Sequence, residues 1–81
     1  GLAFDLAYKE DPSIELHKPD GTHPNLLGTY LASCTVFASI YRKSPIDLEY
    51  DYFGSISNKD KVFLQRIAHE ATSEYLNLLL E

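Results

Sequence analysis

The strongest helical pattern in the chain lies in residues 24–42, PNLLGTYLASCTVFASIYR. Its apolar side chains recur at the spacing of one helical face: Leu27, Tyr30, Leu31, Cys34, Phe37, Ala38 and Tyr41. Leucine, valine and isoleucine also occur off that stripe, so we expect more than one neighbouring element to cover this helix. Gly28 lies inside the pattern, although glycine within a helix lowers its stability by roughly 1 kcal/mol relative to alanine. Its presence therefore indicates that another element approaches the helix closely there.

The flanking residues predict where this helix begins and ends. Proline at the first helical position costs nothing, so Pro24 is expected there, with Thr22 or His23 as the N-cap. A positive charge at Arg42 suits the C-terminal end of the helix dipole. The following Ser44-Pro45 is expected to stop the helix, because the backbone before a proline disfavours helical geometry.

Two further helices are predicted, at about residues 2–10 and 58–80. Asp11-Pro12 ends the first of these. The second follows Ser57, a good N-cap, and its predicted apolar stripe consists of Leu64, Ile67, Ala68, Ala71, Tyr75, Leu78 and Leu79. The chain is therefore predicted to be mainly α, with about three helices.

The predicted helices are joined by two long connections. Residues 14–17 alternate apolar and polar side chains, which fits either a short strand or an extended connection. Residues 46–56 are predicted to be an extended loop with strand-like alternation.

Length and charge exclude several classes of protein. The 81 residues carry 7 Lys+Arg against 12 Asp+Glu, a formal net charge of −5, and 44% are hydrophobic. The chain is too apolar for a typical disordered segment. Its acidic balance, with no basic cluster beyond Arg42-Lys43, argues against nucleic acid and anionic membrane surfaces as partners.

No apolar run is long enough to span a bilayer, so no membrane insertion is expected. No signal peptide is recognised, and the residues predict no compartment. We interpret residues 1–81 as a single segment. A domain of this size buries only about 60% of its unfolded surface, and the single cysteine, Cys34, has no internal disulfide partner. The segment is therefore expected to be a piece of a larger domain.

The turn-rich stretch Asp20-Gly21-Thr22-His23-Pro24 contains the residues best suited to chemistry. A carboxylate that fixes the tautomer of an imidazole and supports the imidazolium makes that histidine a useful general base. A positive φ at Gly21 would close the turn and bring Asp20 and His23 together. The spacing alone is weak, since Asp-x-x-His occurs by chance in about one in ten chains of this length. On spacing alone, a capping role for Asp20 in the turn outweighs catalysis.

A longer pattern carries a family resemblance. From Asp20 to Cys34 the chain reads DGTHPNLLGTYLASC. This resembles the last sequence block of the SGNH (GDSL-like) hydrolases, Asp-x-x-His-Pro followed by a helix with an early small residue, here Gly28. The resemblance is specific over about residues 20–34.

The resemblance implies a serine ester hydrolase. Asp20 and His23 would be the catalytic Asp and His of a Ser-His-Asp triad, in a three-layer α/β/α fold with a parallel sheet. The substrate would be an ester, with acylated carbohydrate as a reasonable guess, and no metal or organic cofactor would be required. The chain lacks the Gly-Asp-Ser block, so the resemblance implies that it is the C-terminal portion of a larger SGNH-type hydrolase domain. The nucleophile would then come from a missing N-terminal part of the domain or from a partner subunit. The 81-residue chain alone is expected to be inactive.

Three other interpretations remain open. The alternative function is a small non-enzymatic helical interaction module or an inactive hydrolase remnant. His17, Asp20 and His23, spaced three apart, could ligate zinc, although the intervening prolines and glycine rule out a shared helical face. Cys34 lies on the apolar stripe and is interpreted as a buried, inert thiol.

Overall fold

A computed structural model of the chain describes residues 2–81. Three helices follow one another: α1 (Leu2–Glu10), α2 (Leu26–Tyr41) and α3 (Asn58–Leu76). The described residues form no strand beyond one isolated antiparallel bridge between His17 and Pro24. The prediction of a mainly α chain with three helices is confirmed. An α/β/α sandwich is not seen in these residues and stays a prediction for a larger domain.

All three helices contact one another, and α3 takes part in the two more extensive contacts, of which that with α2 is the larger. The buried core draws on every helix and on both connections: Ala3, Ala7, Leu16, Tyr30, Leu31, Cys34, Ile56, Leu64, Ile67, Ala68 and Ala71. Several of these are alanines, which allow helix backbones to approach closely. No helix within residues 2–81 is long and apolar enough to cross a membrane.

The predicted start of α2 is wrong by two residues. Asn25 is the N-cap, and its side-chain oxygen accepts a hydrogen bond from the backbone N–H of Gly28 at 2.9 Å. Neither Thr22 nor His23 caps the helix, and Pro24 lies outside it, paired with His17. A tertiary contact with the preceding connection therefore overrides the local preference of proline for the first helical turn.

The helix α3 is shorter than predicted. Ser57 is the N-cap, as predicted, accepting from the backbone N–H of Asp60 at 3.2 Å. The helix ends at Leu76 because Asn77 adopts the left-handed conformation, with φ at 51°. Leu78 and Leu79, predicted to lie on the buried stripe, are beyond the helix and exposed.

The expected strand-like alternation in residues 46–56 is also wrong. This connection turns sharply, with positive φ at Asp47, Tyr52 and Phe53 as well as at Gly54. Bulky residues rarely adopt such backbone geometry. The side chain of Phe53 is left 97% exposed.

A buried glutamine attaches this connection to the helices. Gln65 of α3 donates to the carbonyl oxygen of Leu48 at 2.7 Å and to the hydroxyl of Tyr30 at 2.9 Å. Its own oxygen accepts from the backbone N–H of Asp47 at 3.1 Å. Tyr30 in turn donates to the carbonyl oxygen of Tyr50 at 2.7 Å. Every polar atom of the buried amide is thus engaged, which a buried polar group requires to avoid a desolvation penalty.

The close approach predicted at Gly28 is confirmed. The backbone of Leu16 passes directly over Gly28, and a Cβ atom added there would overlap the carbonyl oxygen and carbon of Leu16. Leu16 is fully buried, and its carbonyl oxygen accepts a hydrogen bond from the backbone N–H of Asn25 at 2.9 Å. The first connection is therefore seated on the beginning of α2.

Gly28→Ala is expected to destabilise the protein by about 1–3 kcal/mol, because a backbone segment must move to admit the methyl group. That loss exceeds the gain in helix propensity of about 1 kcal/mol. The matched control is Thr29→Ala, at the next, exposed position of the same helix, which is expected to be neutral or slightly stabilising. Denaturant unfolding measures both. Equal stability of the two variants would contradict the close packing at Gly28.

Candidate functional site

The candidate site is a tight turn that leads into α2. The backbone N–H of Gly21 donates to the carbonyl oxygen of Lys18 at 2.8 Å, and the N–H of Lys18 donates to the carbonyl oxygen of His23 at 2.8 Å. Gly21 has φ at 73°, the positive value predicted for it. These two bonds close residues 18–23 into a loop with Asp20 and His23 on the same side.

The structure brings Asp20 and His23 into direct contact. Nδ1 of His23 lies 2.8 Å from Oδ2 of Asp20. The other carboxylate oxygen, Oδ1, accepts the backbone N–H groups of Thr22 at 2.9 Å and His23 at 3.1 Å. Both carboxylate oxygens are therefore engaged, and the orientation of the carboxylate relative to the imidazole is fixed.

These donors lower the pKa of Asp20 below its ordinary value of 3.8. The side chain of His23 makes the largest contribution, followed by the backbone N–H groups of Thr22 and His23. A lowered pKa means that the ionised form favours the closed turn above about pH 4, and that this preference is lost as pH falls through the folded-state pKa. The carboxylate is thus charged near neutral pH, as support for an imidazolium requires.

Asn25 joins the turn to both the preceding connection and the helix. Its side-chain nitrogen donates to the carbonyl oxygen of Glu15 at 2.7 Å, while its side-chain oxygen caps α2. Its backbone N–H is bonded to Leu16. A single residue thereby fixes the position of the turn relative to the N-terminus of α2.

The pair itself is open to solvent. The side chains of His23 and Asp20 are 71% and 49% exposed. Within residues 2–81, which include all seven serines of the chain, no hydroxyl group is hydrogen-bonded to His23. The described residues therefore contain an imidazole–carboxylate pair with no hydroxyl group bonded to its imidazole.

The residues proposed for zinc are not brought together. Nδ1 of His17 is bonded to the hydroxyl of Tyr8 at 2.8 Å, and its ring stacks on the Tyr8 ring and contacts Phe4. No group of three or more His, Cys, Asp or Glu side chains in residues 2–81 is arranged to hold a metal ion. His17 therefore belongs to the packing of the first connection against α1.

Cys34 is buried among the helices, in agreement with its interpretation as a structural residue. Burial raises the pKa of its thiol to about 11, which disfavours the reactive thiolate.

One serine–histidine contact was not predicted from the sequence. Nδ1 of His69 on α3 lies 2.7 Å from Oγ of Ser44, which also accepts the backbone N–H of Ile46 at 3.1 Å. No carboxylate among the described residues is bonded to the imidazole of His69. The contact therefore fastens the second connection to α3, and no local signal connects these two residues across 25 positions.

No protein-family model, curated protein or solved structure matches this chain. The resemblance of residues 20–34 to the SGNH hydrolases accordingly stays a prediction.

His23→Ala is expected to raise the pKa of Asp20 towards 3.8, because the imidazole makes the largest contribution to its lowering. The rise should be incomplete, since the backbone N–H groups of residues 22 and 23 still donate. A pH titration followed by carboxyl ¹³C NMR, carried out on the wild type and on His23→Ala, measures the pKa of Asp20. Asp11 is the internal control, because its own lowered pKa depends on Ser13 and should not change. An identical titration of Asp20 in both proteins would contradict the pairing.

Proposed function

We propose that this chain supplies the catalytic Asp and His of an SGNH-type serine ester hydrolase, with the nucleophilic serine supplied from outside these 81 residues. The observation that carries the proposal is the hydrogen bond of 2.8 Å between Nδ1 of His23 and Oδ2 of Asp20. Its place in a closed turn directly before a helix agrees with the Asp-x-x-His-Pro resemblance.

In this proposal each nitrogen of the imidazole has its own role. Donation from Nδ1–H to the carboxylate leaves Nε2 unprotonated, so Nε2 is the base. It takes the proton of the serine hydroxyl as the serine oxygen attacks the ester carbonyl carbon. The bond between the acyl carbon and the alkoxide then breaks. The same proton passes to the departing alkoxide, which leaves as an alcohol, and the acyl group stays on the serine oxygen as an acyl-enzyme. In the second half, Nε2 takes a proton from water as the water oxygen attacks the acyl carbon. The bond between the acyl carbon and the serine oxygen breaks, the serine recovers the proton from Nε2, and a carboxylic acid leaves.

The exposure of His23 supports a nucleophile from a second segment. A serine oxygen must come within about 2.6–3.2 Å of Nε2 to be activated. With the side chain of His23 mostly exposed, such a segment has access to it. The substrate would be an ester, and acylated carbohydrate remains the class that the resemblance implies. This chemistry requires no metal or organic cofactor.

The proposal is tested on the polypeptide as its source cell makes it, recovered with an antibody against α3. A fluorophosphonate, which esterifies activated serines, is expected to label a serine outside residues 1–81, on the same polypeptide or on a co-purifying subunit. His23→Ala and Asp20→Asn should lower the turnover of an ester substrate by about 10³-fold or more, because base and orienting group act as a unit.

Asp11→Asn is the matched control for Asp20→Asn. Asp11 is an exposed carboxylate that caps its own turn through Ser13, and its loss should leave turnover unchanged. Near-normal turnover in His23→Ala, or no labelled serine in the recovered protein, would refute the hydrolase proposal.

A second candidate, a helical interaction module, is favoured by the outer surface of α2. This helix contains no charged residue in 16 positions, and Val36, Ile40 and Tyr41 on it are all more than half exposed. A module of this kind would bury that surface against another molecule. One measurement separates the two candidates: His23→Ala would leave the binding of an interaction module to its partner unchanged, whereas it would abolish most of the activity of a hydrolase.

A further inference from the structure

A groove lies where the first turn of α1 meets the C-terminal halves of α2 and α3. Its volume is about 440 Å³, and the residues that line it include Leu2, Phe4, Ala32, Val36, Ala71 and Tyr75. Binding sites for small organic molecules have volumes of roughly 300–1,000 Å³ and mostly apolar walls. The groove therefore has the size and lining of a small-molecule site.

The lining also restricts the charge of a ligand. No Asp, Glu, Lys, Arg or His contributes to it, although 23% of the chain is charged. A charged group placed among these side chains would lose its hydration without gaining a partner. The groove therefore favours an uncharged ligand.

One wall carries a buried hydroxyl group without a partner. Thr72 lines the groove, its residue surface is 2% exposed, and its Oγ1 atom makes no hydrogen bond. Thr35, on the facing helix, lines the same groove but donates to the carbonyl oxygen of Leu31 at 2.9 Å. A buried hydroxyl without a partner is costly, and each such group in a folded protein calls for an explanation.

Threonine in a helix is divided between two side-chain rotamers. The Oγ1 atom is itself buried in the present rotamer. Rotation of Thr72 by about 120° around its Cα–Cβ bond moves the hydroxyl into the position that the methyl group or the hydrogen on Cβ now occupies. A ligand with a hydrogen-bond acceptor would give that hydroxyl the partner it lacks.

We propose that this groove binds a neutral aliphatic molecule, a single hydrocarbon chain with one ester or hydroxyl oxygen that pairs with Thr72. The hydrocarbon chain lies along the apolar walls, and the oxygen accepts from Oγ1. None of residues 18–25, which form the turn with Asp20 and His23, lines the groove. The site is thus separate from the proposed hydrolase dyad and stands or falls independently of it.

Titration of the 81-residue chain with methyl octanoate, followed by backbone amide NMR, tests the proposal. Saturable shifts are expected at Ala32, Val36 and Ala71. Octanoate, which carries a charge, should bind at least about tenfold more weakly. Thr72→Val keeps the shape of the side chain but removes the hydroxyl. It should lower the affinity for methyl octanoate about fivefold and leave the affinity for n-octane unchanged.

Two variants block the groove at exposed positions that tolerate substitution, Ala32→Leu by filling it and Val36→Glu by charging it. Both should abolish saturable binding. Ile40→Ala, on the same helix but outside the lining, is the control and should bind normally. Shifts that map elsewhere, unaltered binding in Ala32→Leu and Val36→Glu, or equal affinity of Thr72→Val for methyl octanoate would overturn the proposal.

Discussion

The contact between Gly28 and the backbone of Leu16 determines where the first connection lies, and the candidate site lies within that connection. Only glycine, which has no Cβ atom, allows the carbonyl group of Leu16 to pack this closely against the backbone of α2. The same carbonyl oxygen accepts from Asn25, whose side chain also caps α2 and bonds to Glu15. The turn that holds Asp20 and His23 is thereby placed at the N-terminus of α2, although its own side chains are exposed.

A second polar attachment holds the other connection. Gln65 bonds the backbone N–H of Asp47 and the carbonyl oxygen of Leu48, and the Tyr30 hydroxyl bonds the carbonyl oxygen of Tyr50. Burial raises the pKa of that hydroxyl to about 12. Different interactions therefore hold the two connections in place. Close backbone packing against Gly28 positions the first, and hydrogen bonds to the buried amide of Gln65 position the second. The outer surface of α2 carries no charged residue, and the apolar groove lies beside it.

What could be predicted from the sequence was local or periodic. Helix periodicity predicted three helices, and the positive φ that glycine permits predicted the closed turn at Gly21. The unfavourable helix propensity of glycine predicted the close approach at Gly28. The N-cap at Asn25 was missed because it depends on a contact with Leu16, and the length of α3 because Asn77 was not interpreted as a left-handed cap. The Gln65 network depends on contacts between residues far apart in the sequence, which leave no signal in neighbouring residues.

The central claim is that the turn holds the imidazole of His23 with Nδ1 protonated against Asp20 and Nε2 free to act as a base. Two-bond ¹H–¹⁵N correlation spectra of the 81-residue chain, recorded where His23 is neutral, distinguish the two tautomers directly. The account predicts a protonated Nδ1 and an unprotonated Nε2 in the wild type, with that preference lost in Asp20→Asn. A proton on Nε2 in the wild type, or the same tautomer mixture in both proteins, would contradict it.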